Sequence, residues 1–133
     1  MKTVFADAFY YLSLINTADA SHERALALSR ASRYLVVTTA WILTEVADAL
    51  AAPGQREGFL ALLGDLQADP DTAIVPPTQD LFEQGIRLYG QRLDKDWSLT
   101  DCISFVVMKQ HGIAEALTGD RHFEQAGFNV LLK

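Results

Sequence analysis

The chain of 133 residues contains a single cysteine, Cys102. That excludes an internal disulfide and a cysteine-built zinc site, and it fits a reducing, cytoplasmic setting. Cys102 lies inside an apolar stretch and reads as a small buried residue rather than a nucleophile. Prolines are scarce too, and each marks a break: Pro53-Gly54, Asp69-Pro70-Asp71 and Pro76-Pro77. No apolar run approaches the roughly 18 residues of a membrane-spanning helix. The start, Met1-Lys2-Thr3-Val4-Phe5-Ala6-Asp7, lacks the long apolar segment of a secretory signal. Positive charge is also short, with 11 Lys and Arg against 17 Asp and Glu and a net charge of −6. This speaks against a groove binder that works by counterion release. It speaks less against an enzyme whose clustered acids are offset by a bound cation. With no internal repeat, low-complexity segment or long linker, residues 1–133 are expected to form one domain.

What is there is an alternation of short apolar strands with longer helices. Val4-Phe5-Ala6, Tyr34 to Thr39, Thr72 to Val75, Ala116-Leu117-Thr118 and Asn129 to Leu132 read as strands. Between them, helices are expected over Ala8 to Ile15, Asp19 to Leu28, Trp41 to Ala52 and Arg56 to Gln67. A helix capped by Thr78 runs to about Arg92, and another, capped by Ser98, covers Leu99 to Gln110. A short turn of helix follows at His122 to Gln125. The alternation predicts an α/β fold with a parallel sheet, helices on both faces and right-handed crossovers.

In open parallel sheets, sites form beyond the carboxyl ends of the strands. Asp7 follows the first strand and Asp120 the fourth; Glu45 lies early in the helix after the second strand, and Asp101 in the first turn of the apolar helix 99–110. All four therefore face one end of the sheet. Each acid alone is a common cap or turn residue, and the joint arrangement is what points to chemistry. Clustered carboxylates hold their protons tightly unless a cation neutralises them. An all-oxygen site suits Mg²⁺ or Mn²⁺, and such an ion can cut a phosphodiester bond through an activated water. Asp7 and Asp101 are the expected direct ligands, with Glu45 and Asp120 assisting directly or through water. Thr118 and Thr100 are candidate hydrogen-bond partners of these carboxylates. The three histidines are not spaced as metal ligands; His122, close to Asp120, reads as a surface or capping residue within reach of substrate. Arg121, Lys95 and Arg92 are the nearest cations for phosphate contact. Trp41 and Trp97 flank the site and read as core residues before they read as base-stacking platforms. Among the other acids, mostly solvated loop residues, Asp96 approaches the site in sequence.

The order strand-Asp7, Thr44-Glu45-Val46, Leu99-Thr100-Asp101-Cys102-Ile103-Ser104-Phe105 and Leu117-Thr118-Gly119-Asp120-Arg121-His122-Phe123, with Ala126-Gly127-Phe128 behind it, resembles the PIN domain, the ribonuclease fold of VapC-type toxins. The resemblance spans nearly the whole chain, and the last two segments are its most specific part. It implies a five-stranded parallel sheet in a three-layer α/β/α sandwich, an Mg²⁺- or Mn²⁺-dependent ribonuclease acting on RNA, and a homodimer. Asp7, Glu45, Asp101 and Asp120 match the family's acidic positions one by one. Many relatives are toxins paired with a small antitoxin; others stand alone, and the sequence does not separate the two. A non-catalytic binding module is the alternative, with Phe9, Tyr10, Tyr11, Leu12 and Leu14 supplying a dimer or antitoxin interface. An aspartyl phosphotransfer fold fits poorly, because Ala8-Phe9 follow Asp7 where a second acid would be needed.

Overall fold

The computed structural model describes residues 1–31 and 33–133. Five strands, β1 (Lys2–Ala6), β2 (Tyr34–Thr39), β3 (Thr72–Val75), β4 (Glu115–Leu117) and β5 (Asn129–Val130), form one sheet in the order β3-β2-β1-β4-β5. All four pairings are parallel. The helices are α1 (Ala8–Ile15), α2 (His22–Ala31), α3 (Ala40–Ala49), α4 (Arg56–Ala68), α5 (Gln79–Gln91), α6 (Leu99–Gln110) and α7 (Arg121–Gln125). The chain moves from β1 outward to β2 and β3, then jumps back across β1 to β4 and β5. Right-handed crossovers therefore put α1 to α4 on one face and α5 to α7 on the other. This is the expected three-layer sandwich. No helix among the described residues is long and apolar enough to cross a membrane.

The strand order reverses between β1 and β4, the place beyond the carboxyl ends of the strands where sites form in open α/β sheets. β1 is buried on both faces at Val4, Phe5 and Ala6, as a central parallel strand requires. Against it lies α6, whose Cys102, Ile103, Phe105, Val107 and Met108 are all buried. A Schellman motif ends α6. Gly112 takes φ +65°, Ile113 N–H donates to Met108 O at 2.9 Å, and Gly112 N–H donates to Lys109 O at 3.2 Å. α5 lies against α6 so closely that Gly85 has no room for a side chain beside Ile103.

Several boundaries differ from the sequence reading, each through a local hydrogen bond. Asp19 does not open α2; its carboxylate accepts Ser21 N–H at 2.7 Å in a turn, and the helix starts at His22. Thr39 caps α3 by accepting Ile42 N–H at 3.1 Å, so that helix begins before Trp41 and ends at Ala49. β4 stops at Leu117, which frees Thr118 for the site, and β5 is limited to Asn129–Val130 although Leu132 N–H still donates to Thr118 O at 3.1 Å. The apolar run of α1 is spent on the core: Tyr10 and Tyr11 are buried, and Phe9, Leu12 and Leu14 pack against the same cluster. Cys102 is buried.

Candidate metal centre

Asp7 is the N-cap residue of α1, set directly beyond β1 and buried. Two threonines fix its surroundings. Thr38 Oγ1 donates to Ala6 O at 2.9 Å and anchors the end of β1 to β2. Thr118 Oγ1 donates to Asp7 Oδ2 at 2.8 Å and accepts Asp120 N–H at 3.1 Å. One hydroxyl thus sets the angle of Asp7 and the path of the backbone toward Asp120. Asp120 in turn caps α7, its Oδ1 accepting His122 N–H at 2.9 Å.

Asp101 is buried in the first turn of α6 within a capping box. Ser98 Oγ accepts Asp101 N–H at 3.0 Å, and Asp101 Oδ2 accepts Ser98 N–H at 3.1 Å. The same oxygen lies 2.9 Å from His122 Nδ1. His122 Nδ1 is also 3.5 Å from Asp120 Oδ1, and its Nε2 is 3.2 Å from Asp96 Oδ1. One ligand atom from each of Asp101, Asp120 and His122 fits within a common 4.8 Å. Sequence spacing separates His122 from any metal-ligand pattern, yet one turn of α7 folds it back onto the acids. Thr100 shows no side-chain bond to a described carboxylate; in this cap the donor is Ser98.

The electrostatics mark a site short of positive charge. Burial pushes the Asp7 carboxyl up to about 7, against the pull of the Thr118 hydrogen bond, and nearby Glu45 adds to the rise. Glu45 is raised by partial enclosure of its carboxylate and then by Asp101 and Asp120. Asp101 is raised by burial, although Ser98 and His122 hold it down. For His122, burial works against the charged form but Asp101, Asp120 and Asp96 outweigh it, and its pKa rises. Among the described residues, no Lys or Arg lies within ion-pair distance of Asp7, Glu45, Asp101 or Asp120. Four carboxylates with no fixed partner but one imidazole form a hard, oxygen-rich donor set, which fits a divalent cation.

The remaining residues singled out from sequence fall around this centre. Arg121 is exposed at the start of α7. Lys95 sits 4.0 Å from Asp94 and 5.9 Å from the Trp97 ring. Trp97 is a core residue, its ring 5.0 Å from Phe105 and edge-on to it, with Nε1–H donating to Gln125 Oε1 at 3.0 Å.

A doubly wound parallel sheet with acidic side chains gathered beyond the carboxyl ends of β1 and β4 defines the class, a three-layer α/β domain with an acidic site at its switch point. The chain belongs to the PIN domain family, whose model matches residues 4–129. It is 29% identical over 127 residues to the 23S rRNA-specific endonuclease VapC20 of Mycobacterium tuberculosis, covering 94% of this chain and 95% of the relative. The crystal structure of that protein, described as a sarcin-ricin loop cleaving toxin, matches with a TM-score of 0.85 at 26% identity over 94% of this chain and 95% of that one. FitAcB from Neisseria gonorrhoeae (TM-score 0.66, 21% identity, covering 96% and 95%) shares the fold. So does VapBC2 from Rickettsia felis bound to a promoter DNA fragment (TM-score 0.67, 11% identity, covering 96% of each chain).

Proposed function

We propose that this PIN domain is a divalent-metal-dependent endoribonuclease that hydrolyses RNA phosphodiester bonds, with a structured ribosomal RNA loop as its substrate class. The observation that carries this reading is the gathering of Asp101, Asp120 and His122 beyond the strand ends, with Asp7 and Glu45 close enough for their charges to couple to it and no Lys or Arg within ion-pair distance of the four acids among the described residues. Similarity to VapC20, a 23S rRNA-specific endonuclease, supports the choice of RNA. Asp7, Asp101 and Asp120 would hold Mg²⁺ or Mn²⁺, with Glu45 joining directly or through water. A bound divalent ion supplies a more acidic water and charge compensation for the phosphate.

The chain's own groups supply orientation and proton handling. Thr118 holds Asp7 at one angle, and the Ser98 capping box holds Asp101. Glu45, at the open rim with its pKa raised, is placed to accept the proton of the attacking water. His122, its pKa raised by Asp101, Asp120 and Asp96, favours its charged form between Asp101 and Asp120 when no metal is bound and limits their repulsion. Arg121, Lys95 and His122 are the groups nearest to meet substrate phosphates. Pairing with a small antitoxin, a homodimeric state and a cytoplasmic setting belong to the same reading; solved toxin–antitoxin assemblies of this fold support the first of these. Cleavage of a total RNA pool with Mn²⁺, and its loss in EDTA, tests the activity. Asp7→Asn and Asp101→Asn are each expected to abolish it, and undiminished cleavage by both variants would sink the assignment.

A further inference from the structure

A cleft of about 290 Å³ opens between α5, α6 and α7. Arg87, Arg92 and Lys109 stand on its walls, and no Asp or Glu lines it. In a chain with 17 acids and 11 cations, that lining reverses the overall balance. Arg92 is held by Asp94 through bonds of 3.0 and 3.1 Å. Arg87 and Lys109 are exposed and form no ion pair among the described residues.

Beneath these cations lies a buried aromatic cluster that holds the wall in place, with Phe105 between Trp97 and Phe128 at ring separations of 5.0 and 5.7 Å. Gln125 stands at the edge with a fixed amide. The indole N–H of Trp97 can only donate, so Gln125 Oε1 faces Trp97 and the amide NH₂ is left as a free donor pair.

Two connections join this cleft to the acids. Gln125 lies three residues after His122 on α7, so their side chains share a face about 5–6 Å apart. Trp97 follows Asp96, which touches His122. An RNA strand that passes over His122 therefore reaches the cleft with its next nucleotides. Two kinds of group match two parts of a nucleotide: cations for phosphate and amide donors for a base edge. We infer that the α5–α6–α7 cleft is a second RNA subsite that holds an unpaired nucleotide flanking the cleaved bond. The inference rests on the endoribonuclease reading. It also accounts for how an acidic chain engages a polyanion, by gathering part of its few cations along one path.

The double variant Arg87→Gln/Lys109→Gln tests it, with thermal unfolding as the check on folding. Binding of a short labelled single-stranded RNA in EDTA, over a salt series, is expected to weaken about tenfold, with the log–log salt slope reduced by about 1.4, or about 0.7 for each lost phosphate contact. With Mn²⁺ present, RNA extended past the cleaved bond is cut by the wild type with a higher kcat/KM than RNA trimmed close to it. In the variant that advantage shrinks about tenfold, through KM. Binding loss in the variant supports the subsite even where the wild type cleaves nothing, a result that would overturn only the enzymatic reading. Equal affinity and slope in both proteins, or no RNA binding by the wild type, overturns the subsite. Binding of an oligoglutamate of matched charge as tight as that of RNA also overturns it and assigns the cleft to an acidic protein segment.

Discussion

Thr118 reaches across 111 residues of sequence to donate a 2.8 Å hydrogen bond to Asp7, and both side chains are buried. The bond exists because β1 and β4 pair in parallel register, Ala6 beside Leu117, so that both chains leave the sheet at the same level. It opposes the burial that raises the Asp7 pKa. Thr118→Val keeps the shape, removes the donor and leaves Asp120 N–H without its acceptor. Cleavage is expected to fall about 10- to 100-fold, as for other partners that orient metal ligands. The rising limb of the pH–rate profile should move to higher pH, because Asp7 loses the interaction that favours its charged form.

Asp7→Asn separates activity from stability. The folded state holds the Asp7 proton up to about pH 7, whereas the ordinary value is 3.8. Between these two values the native state binds more protons than the unfolded state, so wild-type stability falls as pH rises through the window and stays lower above it. Asparagine carries no such penalty and can still accept from Thr118. The metal-free variant is expected to be more stable than the wild type by on the order of 2 kcal/mol near pH 8, roughly 7 °C in Tm, with the gap closing toward about pH 4. Added Mn²⁺ should raise the Tm of the wild type and leave that of the inactive variant nearly unmoved. Thermal scans in EDTA and in Mn²⁺ at both pH values check the sign.

The parallel α/β layout and the places of Asp7 and Asp120 after their strands were legible in the sequence because both depend on short-range patterns. Apolar runs such as Val4-Phe5-Ala6 mark buried strands, and an acid after such a run can only emerge at a strand's carboxyl end. What it hid were relationships set by packing. His122 sits in a local context that suits a surface cap, and only the turn of α7 brings its ring onto Asp101 and Asp96. Ser98 rather than Thr100 bonds the Asp101 carboxylate because the capping box fixes that oxygen backward along the chain. The cleft beside α7 was beyond reach for the same reason: Arg87, Lys109 and Gln125 come from three different helices, and no spacing rule joins them.

Gly85 is where α5 and α6 touch. A Cβ at this position would overlap Ile103, two residues beyond Asp101 on the same helix. Gly85→Ala is expected to cost about 1–3 kcal/mol through overpacking, even though alanine improves helix propensity. If α6 moves to relieve the clash, Asp101 moves with it, and cleavage should fall in the folded fraction as well. Chemical denaturation for stability, combined with specific activity measured well below the melting temperature, separates the two effects.

His122 makes the acid cluster tolerable in the absence of metal, and its contribution has a definite pH signature. Its pKa is raised because Asp101, Asp120 and Asp96 together outweigh burial. A histidine with a raised folded pKa stabilises fully below its unfolded value of about 6.5, and that stabilisation is lost as pH climbs through the folded value. His122→Gln retains hydrogen-bonding capacity but not the charge. In EDTA the variant is expected to be less stable than the wild type by about 0.5–1 kcal/mol near pH 5.5, a size set by a partly exposed ion pair, and to approach it near pH 9. The loop contact to Asp96 should loosen in parallel, which amide exchange over residues 94–98 would report. Because Asp96 is largely exposed, Asp96→Asn should reproduce only a small part of the loss. A variant gap that widens with rising pH would show that His122 acts through packing and not through charge.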